Sequence, residues 1–156
     1  MFVFSEASEK QVEKIFGKYP FKKSAMLPLL ALAQKQEGYI TPEAMVDIAN
    51  RLDVSPAYVQ SVCTFYTMFF TKPVGEYVIQ FCINISCYLN DCDSLLDYTA
   101  EKLKIKVGET TADKRFTLLR EECLAACSAA PVMRVNNTYY ENLTREKIDR
   151  ILDSLE

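Results

Sequence analysis

Two short segments each carry a pair of thiols: Cys82-Ile83-Asn84-Ile85-Ser86-Cys87 and Cys123-Leu124-Ala125-Ala126-Cys127. This pattern constrains the fold more than any other, because both loops must converge if the four sulfurs share a task. The first pair begins at the end of a predicted strand, and the second follows a predicted strand ending near Arg120. Both loops can therefore sit at one edge of a single sheet. A binuclear iron–sulfur core needs two thiolates on each iron, and loops this short supply such pairs without a long entropic closure. Ile83, Ile85, Leu124, Ala125, Ala126 and Ala129 exclude water, and the alanines let backbone N–H groups approach sulfur. The same spacing suits a structural zinc site built on Cys82, Cys87, Cys123 and Cys127, and buried inert thiols are a third reading. Of the other cysteines, Cys63 reads as core on an apolar helix face, and Cys92 as a loop or helix-start residue without ligand duty.

Two absences sort the chemistry further. The chain contains no histidine, which removes His-based acid–base catalysis, His-ligated zinc and Rieske-type iron together. Its four glycines (Gly17, Gly38, Gly75 and Gly108) each stand alone, whereas a dinucleotide fingerprint or P-loop needs them clustered so that backbone N–H groups reach phosphate. A nicotinamide or flavin, if one takes part, belongs to another subunit. The net charge of −3 comes from acids and bases mixed along the 156 residues, so no basic stripe exists to track nucleic acid. The longest mainly apolar stretch, Ala25 to Ala33, contains Pro28 and falls far below the ~20 residues that cross a bilayer. No signal peptide is visible. These readings predict a cytoplasmic protein, or one on the cytoplasmic face of the membrane, with no direct membrane span.

The periodicity divides the chain. Residues 1–72 read as a helical bundle: a helix capped by Ser8 with Val12, Ile15, Phe16 and Tyr19 at helical spacing, then one from Ser24 to Gly38. Thr41-Pro42 and Ser55-Pro56 repeat one signal, a hydroxyl cap followed by proline at the first helical position. The helix after Thr41 places Met45, Ile48, Ala49 and Leu52 on one face; the helix after Ser55 does so with Val59, Val62, Cys63, Tyr66 and Phe70. Lys72-Pro73-Val74-Gly75 reads as the linker. From 76 to 156 the pattern predicts strand Tyr77–Ile83, helix Asp93–Leu103, strand Phe116–Arg120, a hairpin of Val132–Val135 and Thr138–Tyr140 about Asn136-Asn137, and a helix capped by Thr144 with Ile148, Ile151, Leu152 and Leu155 on its inner face. The fold class is α+β, a helical bundle followed by a small thioredoxin-like α/β domain.

With these segments in view, the chain resembles a family over nearly its full length: the thioredoxin-like [2Fe–2S] subunits (the E-type subunits) of bacterial NADH–quinone oxidoreductase, respiratory complex I. The matching motifs are the Cys82/Cys87 pair, Gly108-Glu109-Thr110-Thr111, Phe116-Thr117-Leu118, Glu122-Cys123-Leu124-Ala125-Ala126-Cys127 followed by Ala130-Pro131, and Tyr139-Tyr140-Glu141-Asn142-Leu143-Thr144. Gly38-Tyr39-Ile40-Thr41-Pro42 and Phe65-Tyr66-Thr67-Met68-Phe69 match in the helical half. The family also includes subunits of NAD(P)-linked hydrogenases and formate dehydrogenases. The resemblance implies that Cys82, Cys87, Cys123 and Cys127 ligate one [2Fe–2S] cluster. It implies a heterodimer in which the bundle docks on a partner subunit holding FMN, the NADH site and a [4Fe–4S] cluster, within a larger complex I-type assembly. Two departures stand out: Ala125 occupies a place where the family often has glycine, and the first loop is more apolar than in relatives.

The implied chemistry is one-electron transfer by a subunit of an NADH dehydrogenase. The motif loops contain no Lys or Arg, while Glu121 and Glu122 adjoin Cys123, so an added electron meets negative charge and a low reduction potential is expected. A zinc-stapled adaptor is one competing class. A thiol–disulfide enzyme is another, disfavoured because no Cys-x-x-Cys pair opens a helix. Gly108–Thr111 reads either as a partner-facing loop or as a turn between helix and strand, and Phe65, Tyr66, Phe69 and Phe70 read mainly as core, with one or two of them facing the partner as the alternative. A cis Ala130-Pro131 bond is expected from the thioredoxin-like resemblance.

Overall fold

A computed structural model describes residues 2–155 and divides the chain into two compact units, Met1–Pro73 and Val74–Glu156.

The first unit is helical. Helix α1 (Glu6–Lys18) is capped by Ser5, whose hydroxyl accepts the Ser8 backbone N–H. The expected cap at Ser8 is corrected by one turn: two serines stand three residues apart, and the earlier one takes the cap while Ser8 is buried inside the helix. Helix α2 (Met26–Glu37) follows a 3₁₀ turn at Lys22–Ala25 that takes up Ser24, and it ends at Gly38, whose φ of 80° supplies the left-handed closure. Thr41 and Ser55 cap α3 (Pro42–Leu52) and α4 (Pro56–Phe65), with proline in the first turn of each. The apolar face of α3 packs into a core with Leu29, Leu30, Val59 and Cys63. Helix α4 is shorter than expected, so Tyr66 and Phe70 lie beyond it, and Tyr66 is exposed. Arg51 ties α3 to α1: its Nη1 and Nη2 donate to the two oxygens of Glu9 at 2.9 and 2.6 Å, and Nε donates to Asp47 at 2.6 Å. Those bonds hold the Glu9 carboxyl below its ordinary 4.5.

The second unit is built on a four-stranded sheet of order β2-β1-β3-β4, comprising β1 (Tyr77–Cys82), β2 (Phe116–Glu121), β3 (Met133–Val135) and β4 (Thr138–Tyr140). Strands β1 and β2 are parallel; β3 is antiparallel to both β1 and β4. A parallel pair requires a crossover, which contains helices α5 (Ile85–Tyr88) and α6 (Cys92–Leu103). Ile79 and Phe81, alternate residues of β1, pack with Leu118, Met133 and Val135 against Leu95 and Leu96 of α6. Ile148, Ile151 and Leu152 of α7 (Arg145–Ser154) enter the same core, and Thr144 caps that helix. The Tyr98 hydroxyl and Lys102 Nζ both donate to Asp149, at 2.8 and 2.7 Å, clamping α6 to α7.

Three loops shape the ends of the sheet. Asn136 turns the β3–β4 hairpin with φ 51°. Ala130-Pro131 is cis, as expected. Residues 108–111 fold back along β2: Gly108 N–H donates to Leu118 O, Leu118 N–H to Glu109 O, and Thr111 N–H to Phe116 O. Gly75 passes so close to the start of β2 that a Cβ there would lie 2.8 Å from the Arg115 carbonyl carbon and oxygen. No helix among the described residues is long and apolar enough to cross a membrane.

Candidate metal centre

The paired cysteines lie around the C-terminal end of β1. Cys82 is the last residue of that strand, held by its N–H to Val132 O at 3.1 Å, and it is buried. Cys87 is buried too, on α5, a single helical turn inside what the sequence shows only as a loop. Asn84 caps that turn: its Oδ1 accepts the Ile85 N–H at 2.9 Å while its Nδ2 donates to Glu122 O at 3.1 Å. One side chain thus fixes the first cysteine loop and fastens it to the second. The sequence carried a signal for this, an Asn directly before a short apolar stretch, but the segment was too short to read as a helix.

The second pair leaves β2. Cys123 lies in the bend after Glu121 and is exposed; Cys127 opens a 3₁₀ turn, Cys127–Ala129, beside α5 and is also exposed. Between them Ala125 adopts φ 58°, a turn that sends its N–H to Cys123 Sγ at 3.3 Å.

The Cys82 thiol is influenced by the thiols of both Cys87 and Cys123, each of which favours its charged form. Burial raises its pKa, but the backbone N–H groups of Asn84 and Leu124, together with those two thiols, outweigh burial and bring it below 9.0. Cys87 goes the other way: burial, and then the Cys82 thiol beside it, push it up to about 11 despite a bond from the Val132 backbone. The structure packs Cys82 with Cys87 in one buried cluster, sets Cys123 where its thiol still acts on Cys82, and places Cys127 on the turn beside α5. Among the described residues, no three His, Cys, Asp or Glu side chains are arranged to hold a single metal ion.

Cys92 is more involved than its sequence context suggested. It starts α6, is fully buried, and shares an apolar cluster with Cys82, Cys87, Leu124 and Val132. Burial first, then the charge of Asp93, pushes its thiol up to about 11. Cys63 lies in the core of the first unit, as read.

The donor set suits a binuclear iron–sulfur group. The Ala125 N–H donates to Cys123 Sγ at 3.3 Å, and the backbone of Asn84 and Leu124 favours the charged form of Cys82 as that of Val132 does for Cys87. Such donors stabilise thiolates that share a cluster's negative charge. Leu124 and Val132 are buried against the thiols, with Ile83, Ala126 and Ala130 packed around them.

Comparison with known proteins points the same way. The family model of the thioredoxin-like [2Fe–2S] ferredoxins matches residues 12–156. The E-type subunit of the NADH-quinone oxidoreductase of Rickettsia conorii is 43% identical over 158 residues, spanning 99% of this chain and 95% of its own length. One of the E-type subunits of the same enzyme in Rhizobium meliloti is 39% identical over 145 residues, 93% of this chain and 86% of its own. Among solved structures, an NAD⁺-reducing [NiFe]-hydrogenase in the air-oxidised state superposes with a TM-score of 0.70 at 20% identity over 81% of this chain. This chain spans 22% of that hydrogenase chain, a likeness of fold.

Proposed function

The chain belongs to the thioredoxin-like [2Fe–2S] ferredoxin family, and from that premise we propose that Cys82, Cys87, Cys123 and Cys127 hold one [2Fe–2S] cluster with which it passes single electrons as the E-type subunit of an NADH–quinone oxidoreductase. The observation that carries the reading is the Cys82 thiol, buried at the end of β1 in one cluster with Cys87, whose charged form is favoured by the backbone of Asn84 and Leu124 and by the thiols of Cys87 and Cys123. Bound there, the cluster supplies one-electron chemistry that no side chain offers.

The surrounding residues have separable tasks. Asn84 joins the two loops, so each pair of thiols is presented to the other. The N–H groups of Asn84, Leu124, Val132 and Ala125 offset thiolate charge, and Leu124 and Val132 keep water from the buried side. Cys123 and Cys127 lie on the exposed side, which leaves a short route for an electron to a partner. No nicotinamide or flavin fingerprint is present in the sequence. A partner subunit holding FMN, the NADH site and a [4Fe–4S] cluster divides the hydride, and this chain takes single electrons from it. The helical unit docks on that partner, and the exposed Phe65, Tyr66 and Met68 are the residues for that contact. The assembly lies at the cytoplasmic face of the membrane. Identity of 43% over 95% of a quinone-linked relative favours this complex over the hydrogenase and formate dehydrogenase alternatives.

Anaerobically purified chain is expected to be brown-red, to contain iron and sulfide in equal amounts, and to give an S = ½ EPR signal after dithionite. Serine at any one of the four cysteines should weaken or abolish that signal. A colourless protein with stoichiometric zinc would overturn the reading.

A further inference from the structure

The sheet face that carries Cys82 also holds a charged chain to which the roles above assign nothing. Gln80 lies in the middle of β1, two residues before Cys82, and residues two apart on a strand share a face. It is 1% exposed. Its amide is held at both ends: Arg134 of β3 donates to Oε1 from Nε at 3.0 Å and from Nη2 at 2.6 Å, while Nε2 donates to Glu121 Oε1 of β2 at 2.5 Å. The register builds this arrangement, since Gln80 is paired with Arg134 across one edge of β1 and Cys82 with Glu121 across the other. Neither Arg134 nor Glu121 makes an ion pair among the described residues. Among the described residues, their opposite charges are joined through the Gln80 amide.

Glu121 and Cys82 are side-by-side neighbours on parallel strands, so their side chains leave the same face of the sheet. Released, the carboxylate could swing to the sulfur. Gln80 instead draws it back along the strand, away from Cys82 and toward the Arg134 cation. We infer that Gln80 and Arg134 are positioning residues for electron transfer: they hold the Glu121 carboxylate off Cys82 and so would ease one-electron reduction of a cluster ligated by Cys82. The inference rests on Cys82 being a cluster ligand. Its physical basis is that a negative charge brought toward a site gaining an electron opposes reduction, most strongly where water is excluded.

The test is an EPR-monitored redox titration of the full chain, purified anaerobically, with Gln80→Met, Arg134→Gln, Glu121→Gln and the double variant Gln80→Met/Glu121→Gln. Gln80→Met and Arg134→Gln should each disfavour reduction at least threefold, about 28 mV at 59 mV per decade for one electron. Glu121→Gln should favour it by a similar factor, and in that background Gln80→Met should lose more than half of its effect. An equal Gln80→Met shift in both backgrounds, or midpoints that do not move, would overturn the inference while leaving the cluster in place. If Gln80→Met does not fold, Arg134→Gln and Glu121→Gln decide alone, because their midpoints must move in opposite directions. An unmodified chain without an S = ½ signal after dithionite would end both the ligand reading and this one.

Discussion

Ala125 offers a substitution whose effect follows from one dihedral angle. Its φ of 58° lies in the left-handed region, which costs an alanine about 1–2 kcal/mol relative to the right-handed one. The turn is needed, because it delivers the Ala125 N–H to Cys123 Sγ at 3.3 Å. Glycine there removes the steric cost but gives back about 0.4–1 kcal/mol through the greater freedom of the unfolded chain. The methyl group is exposed, so no burial is lost with it. Ala125→Gly should thus stabilise the second unit by roughly 0.5–1 kcal/mol. At about 4–8 °C per kcal/mol for domains of 60–100 residues, its melting temperature should rise by roughly 2–8 °C. Hydrogen exchange at the amides of Ile79 and Phe81, in the core of this unit, reads its opening free energy in the metal-free chain. Ala125→Val, a β-branched residue at positive φ, should shift exchange the opposite way. Exchange in Ala125→Gly as fast as in the unmodified chain, or faster, would refute the reasoning.

Other substitutions probe separate parts of the structure. Asn84→Ala removes the cap of α5 and the bond to Glu122 O, worth about 1 kcal/mol each; the loaded chain should lose its visible absorption to a chelator several-fold faster, and an unchanged rate would count against Asn84 as the link between loops. Gly75→Ala forces a Cβ to within 2.8 Å of the Arg115 backbone, so the urea midpoint should fall by the equivalent of about 1–3 kcal/mol; a midpoint equal to that of the unmodified chain would contradict the close approach. Glu9 has its carboxyl held below 4.5 by its bonds to Arg51, so it contributes stability above the unfolded value and loses it as pH falls through the folded one. Glu9→Gln should therefore be less stable at pH 7 by up to about 1 kcal/mol after solvent screening, with the gap narrowing as pH falls below 4.5; a gap in urea unfolding that stays constant from pH 7 into the acid range would rule this out.

What the sequence disclosed divides by the range of the interaction involved. Thr41-Pro42, Ser55-Pro56 and Thr144 announced α3, α4 and α7 because a hydroxyl cap, joined in the first two by a proline, acts on its own first turn. The strands and the Asn136 turn were legible for the same local reason. Ser8 misled because Ser5 offers the same chemistry one turn earlier. Helix α5 was hidden: it has four residues, too few for a period, and its apolar Ile85 faces solvent. The burial of Cys92 beside Cys82 and Cys87 comes from tertiary packing, which the flanking Asp91 and Asp93 gave no hint of. Nor could the Gln80 amide be matched to Arg134 and Glu121 before the register of three strands was known, since 54 and 41 residues separate it from them.

The segment folded along β2 has a bearing on how the chain survives before it finds a partner. A strand at the margin of a sheet presents a row of unspent N–H and C=O groups, a template on which stray strands add and insoluble material grows. Residues 108–111 occupy those groups on β2 through Gly108, Glu109 and Thr111, and the opposite margin, β4, is only three residues long. Both sides of the sheet are thereby poor seeds for further growth, which favours a dispersed chain during assembly.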